Sequence, residues 1–478
     1  MTTWIIILGA IYIGMLAFVA FRSYKKNKSA EDYLLAGSNI GIILGFLTFA
    51  ATLFSTFTLL GMPDFFRLNG VGAWLFLAVS DGGMVFLILW WGYHLRKKVA
   101  EKGFNGVAGL LSRCYNNRWA GIVSFIGVFL FLIPYVAIQI RGIAIFLTAV
   151  FPEALPSWGW SVAIITIMLL YSETGGLKAI MHADAIQGLT LLIVTWIIGI
   201  SCVEYFGSME NMFDQVEAAN AALLSTPGPT GLFSLQFLIA SFMVILLIPV
   251  TQPQLTIRLV IMRNLKTTHT MAVAVGIFAI LIILPTAFIG MYGAIRYPDA
   301  ATSDFLSQVL LYEQPDFIAA IAVVGLLAAG LSTTDSQIFA MGTELRSLMS
   351  GDEKKVMKIT RYAIFVFAFI AMIFSVLASD QLVMLARVSF AGTSMLAPMI
   401  LTGVLSKKEL GNEIIVATAV VLLLFILSLL DVLPSMVGPA RMDLFLLLGL
   451  GLFSIISYSL RNKRHTPDKQ AASLSSKH

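Results

Sequence analysis

The chain has 478 residues, 58% of them hydrophobic and only 12% charged, with a net charge of +5 and a mean hydropathy of +0.89. A soluble domain carries about twice that charged fraction, so these values exclude an ordinary soluble enzyme or binding module and describe an all-α polytopic membrane protein. The small positive excess does not imply nucleic acid, because loop placement accounts for it.

Apolar runs long enough to cross a hydrocarbon core recur about 13 times. They fall roughly at 3–22, 38–62, 71–95, 119–149, 159–175, 184–204, 232–250, 270–295, 317–345, 361–379, 382–404, 413–430 and 442–460. The first run has its positive charges after it, at Arg22, Lys25, Lys26 and Lys28. With no cleavage site before a soluble domain, it reads as a retained span rather than a signal peptide. The second run, residues 41–63, is rich in Gly, Ala, Ser and Thr and ends at a proline. That composition fits close helix packing, and equally a discontinuous helix whose freed carbonyls bind a cation at membrane depth.

Asp81 and Arg141 stand in the third and fourth spans, Arg141 well inside its own with Gln139 two residues before it. An arginine there must pair, snorkel or face water. Pairing with Asp81 is the structural reading; bidentate binding of a solute carboxylate is the functional one. Asp184 opens the sixth span, with Gln187 close to one turn on. Aspartate is favoured at helix starts, so capping competes with ion binding. Short surface helices are expected in the outside loop 209–231.

The ninth span carries Ser332, Thr333, Thr334, Asp335 and Ser336 in a row. Ser332, Asp335 and Ser336 share one face, with Thr333 one residue round. Hydroxyls and carbonyls are hard, neutral donors that suit a monovalent cation which must leave again. Back-bonding of Ser and Thr to preceding carbonyls leaves Asp335 unexplained, and an intramembrane acid marks function. Arg387, near the outer end of its span, reads as snorkelling or structurally paired. Cys114 and Cys202 predict neither a disulfide nor a metal site. The polar tail 462–478 reads as a short disordered cytoplasmic segment. Alternate loops hold 26 of the 31 basic residues, which predicts the N-terminus outside and the C-terminus in the cytoplasm.

Tyr171, Gly175, Gly176, Leu177, Lys178 and Ala179, followed by Asp184 and Gln187, resemble the signature of the sodium:solute symporters. Gln252-Pro253 with Arg258 resembles that family's helix-to-loop motif, and residues 328–337 its sodium-binding helix. Gly61 and Pro63 after the second span also fit. The matches run in order from about Tyr33 to Leu405.

The resemblance implies the leucine-transporter fold: a five-plus-five inverted repeat with one extra N-terminal and two extra C-terminal helices. Residues 1–478 then form one transporter domain, with the repeats at about 38–204 and 232–404. The resemblance also implies a sodium site made of the carbonyls of Ala51, Phe54 and Ala329 with the hydroxyls of Ser332 and Thr333. In some members a second ion sits between the signature aspartate and hydroxyls, here Asp184 with Ser332, Asp335 and Ser336. Asp335 departs from the hydroxyl those members have, which leaves a second sodium, a proton or a structural hydrogen bond open.

The implied activity is sodium-coupled import of a small organic solute, an organic anion or amino acid bearing a carboxylate, near Arg141, Gln139 and Asp81. The protein would lie in the lipid of the plasma (inner) membrane, as a transporter and not an enzyme. The monocarboxylate, pantothenate and proline branches are the most similar. A proton-coupled symporter of the same fold, and carriers of neutral solutes or inorganic anions, stay open.

Overall fold

Nearly every expected span is a helix in the computed structural model, which describes residues 1–25, 29–377, 382–407 and 410–464. Lys26, Lys28, Lys408 and the tail beyond Arg464 lie outside the described residues. Among the described residues, nine helices are long and apolar enough to cross a membrane, and a bent pair, Ile42–Leu53 with Phe57–Asn69, makes a tenth span. Ser157–Tyr205 runs for 49 residues, about 74 Å at ~1.5 Å per residue, more than twice a hydrocarbon core of about 30 Å. It is two spans joined at Gly176. The shorter Leu235–Leu246, which continues through Pro253–Val260, and Glu413–Leu429 bring the passes to thirteen.

The join at Gly176 corrects one expectation. Residues 176–183 are not a loop: the chain turns at one residue, Gly176, with φ 64° and ψ −166°, and is helical on both sides. Without a Cβ, glycine adopts that conformation freely, and a Cβ there would stand 2.7 Å from the Tyr33 carbonyl oxygen. Gly176→Ala is therefore expected to destabilise the protein by about 1–3 kcal/mol. Thermal unfolding of the detergent-purified variant checks this.

Two helices break where polar groups gather. After Leu53, Phe54 is extended (φ −97°, ψ 125°). The Ser55 amide then donates to Thr58 Oγ1 (3.1 Å) and the Phe57 amide to Ser55 Oγ (3.2 Å). These hydroxyls satisfy amides that the break frees, as buried backbone in a membrane requires. Five passes later, Gln252 is extended (φ −101°, ψ 113°) between Ile248–Thr251 and Pro253–Val260. The Pro253 ring disfavours helical geometry in the residue before it.

The Asp316–Ser347 helix runs through the centre and packs mainly on Ser157–Tyr205 and Arg118–Val150. Its C-terminal end is tied down by Glu344, which accepts the amides of Val107 and Ala108 (2.8 and 2.6 Å) and so caps the short helix Val107–Cys114. Large apolar side chains such as Ile6, Ile11, Phe18, Phe86, Phe369 and Ile455 stand exposed on the outer helices, a surface suited to lipid. The segment 209–231 holds Met209–Asn220 and the short turn of helix Ala221–Leu224, the short helices expected there. Both cysteines are free.

Candidate functional site

Three helices meet at the first break. Small residues let them approach: a Cβ on Gly330 would lie 2.5 Å from Thr56 Oγ1, one on Gly142 2.6 Å from Thr56 Cγ2, and one on Gly188 3.2 Å from the Ala51 Cβ. Ala51, Phe54, Ala329, Ser332 and Thr333 are all buried. Because the Ser55 amide has turned to Thr58, the Ala51 carbonyl lacks its helical donor and lies 3.1 Å from Ser332 Oγ. Ser332 Oγ is also 2.5 Å from Asp184 Oδ1. One hydroxyl hydrogen serves only one of these acceptors at a time. The Thr333 hydroxyl is buried with no hydrogen-bond partner, which fits an oxygen reserved for a ligand. These neutral donors have the chemistry a sodium ion needs.

Asp184 does not cap a helix. It lies about two turns past the Gly176 bend, fully buried, and Arg258 Nη2 donates to its Oδ2 at 2.8 Å. The same guanidinium donates to Ser336 Oγ (2.7 Å), to Thr48 Oγ1 (2.9 Å, from Nε) and to the Gln254 carbonyl (3.0 Å). Thr48 in turn donates to Asp184. Arg258, counted in sequence among the cytoplasmic loop charges, is thus a buried residue at the centre of the molecule. Pro253–Val260 carries it inward, between Leu and Ile neighbours that exclude water. An arginine inside the apolar run LTIRLVIM was the signal available beforehand.

Asp335 faces a different partner. Tyr171 donates to its Oδ2, while its Oδ1 is buried without a partner. No hydrogen bond joins Asp335 to Asp184, and the two acids have different hydrogen-bond partners. Thr52 Oγ1 lies 3.4 Å from Ser336 Oγ, and Gln187 donates to the Tyr12 hydroxyl from the first helix. Thr48, Tyr12 and Thr52 carried no signal of their own in the sequence.

The candidate solute residues separate. No ion pair joins Arg141 and Asp81: Arg141 Nη1 donates to the Ser375 carbonyl at 3.1 Å on the peripheral Glu353–Leu377 helix. Gln139 stays in the core and donates to the Tyr135 carbonyl (3.3 Å), with its Oε1 buried and unpartnered. Arg387 is structurally paired, 2.6 Å from Asp443.

Residues 33–412 match the sodium:solute symporter family. The chain belongs to that family. The symporter is 23% identical over 481 residues to the sodium/proline symporter of Escherichia coli, covering 92% of each chain. It is 24% identical over 333 residues to the sodium/pantothenate symporter of Haemophilus influenzae, covering 68% of this chain and 67% of that one. In structure it resembles a Na+-coupled sialic acid symporter in a substrate-bound outward-open state, with a TM-score of 0.75 at 16% identity, over 94% of this chain and 97% of the other. The architecture is the leucine-transporter fold expected from the sequence. The protein is an integral membrane transporter and not an enzyme, it works by sodium-coupled symport, and sodium is its coupling ion.

Proposed function

We propose that the symporter imports a small carboxylate-bearing organic solute across the plasma (inner) membrane by alternating access, driven by a single sodium ion. That ion is bound by the carbonyls of Ala51, Phe54 and Ala329 and the hydroxyls of Ser332 and Thr333. The observation that carries this reading is the unpartnered, buried Thr333 hydroxyl opposite the helix break whose Ala51 carbonyl has lost its backbone donor. The pantothenate and proline transported by its relatives both bear carboxylates, which supports that part of the solute's description.

Arg258 supports one ion rather than two. Its guanidinium contacts Asp184 and Ser336, two of the groups a second cation would need, so the protein supplies that charge itself. The basic loops favour an outside N-terminus and a cytoplasmic C-terminus. Cysteines introduced at Ser29 and Lys407 in a variant lacking Cys114 and Cys202 would both react only from the cytoplasmic face. Asp335, held by Tyr171, has no cationic partner among the described residues. Asp335→Asn is therefore expected to leave the sodium activation curve in place while changing the pH profile of uptake. An unchanged pH profile assigns Asp335 a purely structural hydrogen bond.

A further inference from the structure

The described arginines at depth have partners. Buried Arg67 is paired with Asp64 (2.7 Å) and buried Arg258 with Asp184, while half-buried Arg387 pairs with Asp443 and half-buried Arg141 donates to the Ser375 carbonyl. Asp81 is the converse case. It sits in the first turn of Ala78–Lys102 with 6% of its surface exposed, and among the described residues its carboxylate makes no hydrogen bond or ion pair. It lies within electrostatic reach of Tyr135. The Tyr135 hydroxyl is 3.4 Å from Ser55 Oγ at the helix break, and its ring packs on Phe390 with centroids 4.7 Å apart.

A carboxylate at membrane depth requires a compensating positive charge or a proton. Among the described residues no cation pairs with Asp81. Tyr135, within electrostatic reach of Asp81, adds an aromatic ring, a group that favours positively charged nitrogen. Midplane space beside broken helices is also where transporters of this architecture receive their solutes.

We propose that Asp81 anchors a positively charged nitrogen on the transported solute, so that the substrate is a zwitterion carrying an amine or quaternary ammonium group as well as its carboxylate. This rests on the symporter reading above and narrows its substrate class. Charge complementarity then excludes amine-free acids, because an anion placed beside Asp81 meets a like charge with nothing between them. Asp81 selects for the nitrogen without touching the sodium ion, whose ligands stand on the Ile42–Leu53 break and the Asp316–Ser347 helix.

The test is uptake into proteoliposomes under a sodium gradient. Common amino acids and glycine betaine are set against choline, which lacks a carboxylate, and against the amine-free acids lactate, acetate and pantothenate. The expected result is uptake confined to zwitterions. Asp81→Asn should raise the half-saturating solute concentration by about tenfold or more, Asp81→Glu should retain part of the affinity, and neither should move the sodium half-activation. Sodium-dependent change in tryptophan fluorescence without solute verifies that each variant is folded and binds the ion. The proposal is overturned by comparable uptake of choline or an amine-free acid, by no uptake of any zwitterion, or by wild-type solute affinity in Asp81→Asn. A shifted sodium half-activation would overturn it too, making Asp81 an ion ligand. Failure of the symporter reading looks different: the fluorescence response to sodium is itself absent in the wild type.

Discussion

Arg258→Gln is expected to lower stability by about 3–5 kcal/mol, the cost of leaving a buried carboxylate without its partner. Asp184 is fully buried and its Oδ2 sits 2.8 Å from the guanidinium. Glutamine keeps some of the donors but none of the charge. Asp184→Asn should be similarly damaging, because Arg258 is then the uncompensated ion. The double variant should recover much of the loss, since two neutral amides in that space leave no charge unpaired. A thermal-unfolding cycle on the four proteins in detergent measures the coupling. Additive losses would mean that Arg258 and Asp184 act independently, against the geometry that joins them directly and through Thr48.

Thr333→Ala and Ser332→Ala should both raise the sodium concentration needed for half-maximal uptake. Losing one neutral ligand is worth roughly 1–3 kcal/mol, or about 5- to 150-fold in apparent affinity. The two variants differ in what else they lose. Ser332 also bonds Asp184, so its removal disturbs the Arg258 centre and lowers stability in the absence of sodium. Thr333 has no hydrogen-bond partner within the protein, so its hydroxyl contributes nothing to the sodium-free fold. Thr333→Ala should therefore lose the extra stability that sodium confers, while without sodium it loses only the packing of one buried methyl group. Sodium titrations of melting temperature and of uptake on both variants test this, and wild-type curves in both would remove Ser332 and Thr333 from the site.

What could be read from the sequence was depth, not direction. Apolar length located almost every helix, and the run from Ser332 to Ser336 stood out because hydrocarbon tolerates a carboxylate poorly. The Gly176 turn was hidden because a single glycine reverses the path with no loop composition around it. Arg258 was misread for a related reason: charge counting assigns an arginine near a span end to water, whereas the break at Gln252-Pro253 returns it to the interior. Arg141 and Asp81 show the remaining limit. Their depths are similar enough to permit a bridge, but the azimuth of each helix is fixed by packing, and that turns Arg141 to the Ser375 carbonyl with no ion pair to Asp81.

The most direct measurement of sodium coupling at this centre uses proteoliposomes with ion gradients imposed one at a time. An inward sodium gradient at equal pH should drive concentrative uptake of the solute in the wild type. Thr333→Ala should need a higher sodium concentration to do the same. An inward proton gradient without sodium should drive none. Concentrative uptake on the proton gradient alone, or uptake indifferent to replacing sodium with potassium, would contradict the account.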